Sequence, residues 1–205
     1  MDLKFFHKKS KFLILTFLNL ILQTIITKFT MEKIPNEKKR SGWARLGLFI
    51  LQIILIIAML MPIPIFLKFL LFCMFSVTGG IMISALNLNE EMLHFAFYGS
   101  ISIFGIMVFL GMLLSVFNIN LGPTMGLTLF YSLLGLIFFG LFNIITGNFM
   151  YKLYAMIGIV LFSIFIIYDT NKIMQRTYNG DFIQASLDYY LDIINLFFDI
   201  NLFNR

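Results

Sequence analysis

A chain of 205 residues that is 60% hydrophobic and 12% charged cannot clothe a soluble surface, because an ordinary soluble domain carries about 25% charged residues. Its mean hydropathy of +0.94 places it among polytopic membrane proteins. The net charge of +5 is no nucleic-acid signature, since the basic residues flank apolar runs, where anionic headgroups attract them. They cluster at Lys4, Lys8, Lys9 and Lys11, and again at Lys33, Lys38, Lys39, Arg40 and Arg45.

A spanning helix needs about 20 apolar residues to cross roughly 30 Å of hydrocarbon. On that ruler the first span runs over about 12–29. It follows a basic stretch, as a signal peptide would, but contains Thr16, Asn19, Gln23 and Thr24 and leads into more lysine instead of a small-residue cleavage site, so it reads as a retained span. Pro35 and Asn36 break the charged loop that follows. The second span covers about 44–61 and stops at Pro62-Ile63-Pro64. The third covers about 65–86 and holds the lone Cys73, which leaves no disulfide framework and reads as a packing residue. Asn87 to Glu91 form a polar loop, read mainly as solvated, in which Glu90 and Glu91 are candidates for an ion-collecting mouth.

The fourth span covers about 92–117 and the fifth about 124–145, joined by a tight connection from Asn118 to Pro123. Both are rich in glycine, which lets helices approach closely in lipid. Thr146 to Asn148 form another turn. The sixth span covers about 149–168 and the seventh about 182–203. Lysines and arginines divide almost evenly between the two sides, so the positive-inside bias selects no orientation.

The last two segments carry acids inside apolar sequence, and an aspartate near the centre of a spanning helix costs about 2.5–3.5 kcal/mol on insertion scales. Asn179-Gly180 is a turn signal, and Asp181 three residues before Gln184 has the form of a helix N-terminal capping box. If the sixth helix continues past Asp169, then Asp169 lies roughly 11 residues before the turn and Asp192 about 12 after it. Both then sit about 16–18 Å from the turn and level across an antiparallel pair. Two carboxylates meeting in a low-dielectric interior cannot easily both ionise, and share a proton. Deprotonated, they offer the hard oxygens that calcium prefers. Asp188, Asp192, Asn195 and Asp199 fall on one face of the seventh helix, a polar stripe suited to a bundle interior or an ion pathway. The plainer alternative is that these acids pair with Lys172, Arg176 or Arg205 and fix the packing.

His94 has no second histidine nearby, and no zinc-protease helix motif, phosphate-binding loop, dinucleotide fingerprint or nucleophile elbow is present. An intramembrane aspartyl protease also uses two aspartates, in YD and GxGD motifs, and the second motif is missing. An intramembrane hydrolase stays open as a third, weaker class, while the chain is expected to be no enzyme and to need no cofactor. A non-conducting interaction protein is the competing class, motivated by the small residues of the fourth and fifth spans.

Tyr168-Asp169-Thr170, followed by Tyr190-Leu191-Asp192-Ile193-Ile194-Asn195-Leu196-Phe197, resembles the transmembrane Bax inhibitor motif family. Phe142-Asn143-Ile144 and Ile157-Gly158-Ile159-Val160-Leu161-Phe162 fit its fifth and sixth helices. The resemblance implies an all-α bundle of seven transmembrane helices in a single domain, with the last helix central. It implies that Asp169 and Asp192 form a pH-sensing pair gating a slow calcium leak, with calcium as permeant or bound ion. It further implies protection from cell-death or stress stimuli and, in some bacteria, association with a membrane protease. Some members carry a basic residue near the end of the second helix that latches onto the pair; here that region has none, and Lys68 is the nearest candidate. A monomer is expected. The wealth of Ile, Phe, Asn and Lys fits a bacterial inner membrane better than a eukaryotic internal one.

Overall fold

The computed structural model describes residues 3–34, 42–84, 90–147, 150–175 and 178–204, with side chains from residue 10 onward. Seven α-helices account for nearly all of them, and no strand occurs among the described residues: α1 (Leu3–Lys33), α2 (Gly42–Leu60), α3 (Ile65–Ser84), α4 (Glu90–Val116), α5 (Pro123–Thr146), α6 (Tyr151–Gln175) and α7 (Phe182–Phe203). The first six are long and apolar enough to cross a membrane. The seventh, with its three aspartates, is not among them.

Local chemistry explains the boundaries. Pro62 and Pro64 separate α2 from α3, since neither ring nitrogen can donate to a preceding turn. Pro123 opens α5 at a position whose N–H would have no partner anyway, and Gly147 closes it in the left-handed conformation. Asn118 is left-handed where α4 ends. Helix α6 continues through Asp169 to Gln175, and the chain then turns through Tyr178, Asn179 and Gly180, all at positive φ. The Gln184 N–H donates to Asp181 Oδ1 at 3.0 Å, so Asp181 caps α7. Its own N–H donates to the Tyr178 carbonyl at 3.0 Å.

The chain divides into two compact units, one comprising α1–α3, the Tyr178–Gly180 turn and α7 through Tyr190, the other α4–α6 and α7 from Leu191. In the first unit α1 packs along α3. Its buried face is polar: Thr16, Asn19, Gln23 and Thr27 recur at helical spacing, all out of solvent. Asn19 donates to the Ser186 hydroxyl of α7, Gln23 accepts from Ser76 at 2.8 Å, and Thr27 is bonded to the Tyr190 hydroxyl. Gly80 permits the approach, because a Cβ there would lie 2.5 Å from the Thr27 carbonyl oxygen. With every member partnered, the network holds three helices together without driving apolar surface out of water, which lipid does not reward.

In the second unit α6 packs along α4 and α5. Asn171, fully buried, accepts from the Leu121 N–H at 2.9 Å and donates to the Ile119 carbonyl at 2.8 Å and the Ser115 hydroxyl at 3.1 Å. One side chain thereby satisfies the backbone that turns α4 into α5.

The two kinds of helix surface differ. Helices α2, α4 and α5 expose Ile54, Phe109, Phe138 and many similar residues, as lipid-facing helices do, whereas no residue of α7 from Phe182 to Leu202 is exposed.

Candidate functional site

Both aspartates singled out in the sequence are buried in the second unit: Asp169, on α6, is 7% exposed, and Asp192, on α7, is 5% exposed. Three residues along α6 from Asp169, the Lys172 Nζ lies 3.7 Å from its Oδ1. The plain reading of pairing with lysine therefore holds for Asp169 in part, at a distance too long for a good hydrogen bond. Thr170 turns its hydroxyl back onto the Ile166 carbonyl at 2.7 Å.

The polar stripe of α7 does not share one environment. Asp188, in the first unit, is half-buried and accepts from the Tyr178 hydroxyl at 2.8 Å. Asn195 is half-buried and Asp199 buried, both in the second unit. Lys68, the nearest candidate for a latch on the pair, is engaged elsewhere: its ammonium donates to Asp181 Oδ2 at 2.6 Å. Arg176 and Arg205, the other basic candidates, lie outside the described residues.

Glu90 and Glu91 are exposed. The structure corrects their loop assignment, placing both in the first turn of α4, where carboxylates complement the unpaired N–H groups of the helix. Asn87 and Asn89 lie outside the described residues. His94 is exposed and stacks on Tyr98. Cys73 accepts a long bond from Gln23 at 3.6 Å. Among the described residues no group of three or more histidine, cysteine or acidic side chains is placed to hold a metal ion.

Sequence reasoning missed the residues that position these groups. Asn171, two residues beyond Asp169, was detectable as an amide inside a spanning segment. The buried face of α1 was detectable from the spacing of Thr16, Asn19, Gln23 and Thr27. The Lys68–Asp181 pair joins residues far apart in sequence, and no local pattern announces it.

No curated protein matches the chain. The family model described as "Inhibitor of apoptosis-promoting Bax1" matches residues 9–204, a range that takes in the buried acids of α6 and α7 and almost all seven helices. That match, over a chain with six helices apolar enough to span a membrane, identifies it as an integral multi-pass membrane protein of the Bax inhibitor family.

Proposed function

We propose that this protein is a pH-sensitive calcium-leak channel, gated by Asp169 and Asp192 and residing in a bacterial inner membrane. The observation that supports the reading most is the burial of both carboxyls, on α6 and α7, within one compact unit. A carboxyl held away from water in a membrane protein is costly, and such groups mark ion and proton pathways. Two of them sharing a proton present little charge. Losing that proton gives a hard-oxygen surface that attracts a divalent cation. Asn195 and Asp199 would extend the polar lane along α7, with Glu90 and Glu91 as an exposed acidic mouth. Purified protein in liposomes is expected to pass calcium at a rate that changes with pH. Unaltered flux and an unaltered pH profile in Asp192→Asn would sink the proposal.

A second reading, a non-conducting regulator that binds a membrane protease or a stress factor, has its own support. Gly105 of α4 and Gly135 of α5 have no neighbouring atom within 4 Å of where a Cβ would stand, so both leave small-residue surface open to another helix. It predicts no ion flux, and a membrane protease retained through purification in mild detergent.

A further inference from the structure

Helix α7 carries another buried carboxyl, and no described residue forms an ion pair with it. Asp199 is 6% exposed, and its Oδ2 has no hydrogen-bond partner among the described residues. The titratable side chain that faces it is the Tyr154 phenol of α6. From α4 the neighbouring contact is Gly99 against Ile200, which brings no charge. On its own helix the nearest acid is Asp192, two turns back and roughly 10 Å along the axis.

What Asp199 does have is a seat. Its carboxyl rests on Gly158 of α6, one turn beyond Tyr154: a Cβ at that position would overlap Oδ2 and would lie 2.6 Å from the carboxyl carbon and 2.9 Å from Oδ1. Ala155, on the same side of α6, is fully buried. The carboxyl thus occupies a place that exists only because residue 158 has no side chain, close against α6 at that turn. An ionised carboxylate in such a place is a buried charge without compensation, whereas the acid form carries none.

We infer that Asp199 is a proton-binding site in its own right, seated on Gly158 as the neutral acid and drawn off that seat when it ionises. Loss of the proton then loosens the last turns of α7 from α6. This site is separate from the Asp169 and Asp192 carboxyls and does not depend on whether the protein conducts calcium.

Infrared difference spectra between acid and alkaline conditions, taken on the full chain in lipid vesicles, test the assignment. The wild type is expected to show a protonated-carboxyl band characteristic of a dry site. The double variant Asp169→Asn/Asp192→Asn, which lacks the other two buried acids, retains it, and adding Asp199→Asn to that background removes it. Gly158→Ala fills the seat and moves the band to that of a hydrated carboxyl, an independent reading should Asp199→Asn fail to fold. Backbone hydrogen exchange over residues 196–203, corrected for its intrinsic pH dependence, is expected to rise as the band disappears in the wild type and to stay flat in Asp199→Asn. In the Asp169→Asn/Asp192→Asn background, a band that survives Asp199→Asn, or one untouched by Gly158→Ala, overturns the inference, as does exchange at the end of α7 that ignores the titration.

Discussion

Lys68, in the first turn of α3, donates to Asp181 Oδ2 at 2.6 Å while the other oxygen of the same carboxylate caps α7 by accepting from the Gln184 N–H at 3.0 Å. One acid thus fixes both the start of α7 and its attachment to α3. The pair is largely buried, with side-chain exposures of 7% and 17%. Removing one partner of a buried ion pair strands the other charge. Lys68→Met is expected to cost about 3 kcal/mol, the low end of the range for such pairs because Asp181 keeps some contact with solvent. The double variant Lys68→Met/Asp181→Ser removes both charges and keeps a capping hydroxyl, so it should recover most of the loss. Thermal unfolding in detergent, compared across the two variants and the wild type, checks this. Equal losses in single and double variants would show that the lysine contributes through packing alone.

The glycines of the second unit separate into two groups, and alanine substitution should tell them apart. A Cβ on Gly111 would lie 2.6 Å from the Thr170 Cβ and 2.8 Å from the Ile167 carbonyl oxygen, so α4 and α6 must move apart to accept it. Overpacking of this kind costs about 1–3 kcal/mol, against a helix-propensity gain of at most about 1 kcal/mol. Gly111→Ala is therefore destabilising. Gly135→Ala meets nothing within 4 Å and should be neutral or slightly stabilising. Midpoints of thermal unfolding in detergent are expected to fall for the first and hold for the second.

Asn171 offers a local readout. Asn171→Ala leaves the Leu121 N–H without its partner and the Ile119 carbonyl with a long bond from Gln175 at 3.5 Å, at about 1–3 kcal/mol for a buried group left unsatisfied. The consequence should be concentrated in the turn between α4 and α5. Hydrogen exchange at Leu121 is expected to quicken markedly, with little change within α1 or α3. Uniform acceleration throughout the chain would mean that the substitution acts on global stability and not on that turn.

What the sequence revealed follows from the range of the interactions involved. The Asn179-Gly180 turn and the Asp181 cap are local, written within four residues, and both are present. The continuation of α6 past Asp169 was legible for the same reason, as no proline or glycine interrupts Thr170 to Gln175. The destination of Lys68 was not legible. A lysine just inside a spanning segment can reach several acids, and which one it meets is decided by how α3 stacks against the start of α7. Helix α1 was read as a spanning segment, and it is long and apolar enough to be one. What that reading left out is that Thr16, Asn19, Gln23 and Thr27 share the face by which the helix is held.

The Thr27–Tyr190 contact in that network yields the last prediction, because the two ends of one hydrogen bond should not be equivalent. The Thr27 hydroxyl already donates to the Gln23 carbonyl at 2.9 Å, so Tyr190 supplies the proton between them. Tyr190→Phe removes that donor together with its polar oxygen and leaves Thr27 its own bond. The ring stays edge-on to Phe72 and Phe75, whose centroids lie 5.3 and 5.7 Å away. A loss of about 1 kcal/mol is expected, the usual net worth of one hydrogen bond. Thr27→Val instead leaves the Tyr190 hydroxyl, which is 2% exposed, with Ser76 as its remaining side-chain partner, and the cost is expected at about 1–2 kcal/mol. Combining the two substitutions removes both ends of the shared bond, so the double variant should lose less than the sum of the two single losses. Thermal unfolding of the three variants in one detergent measures the coupling. If the two losses simply add, the hydroxyl pair is not the interaction that joins α1 to α7 at this level.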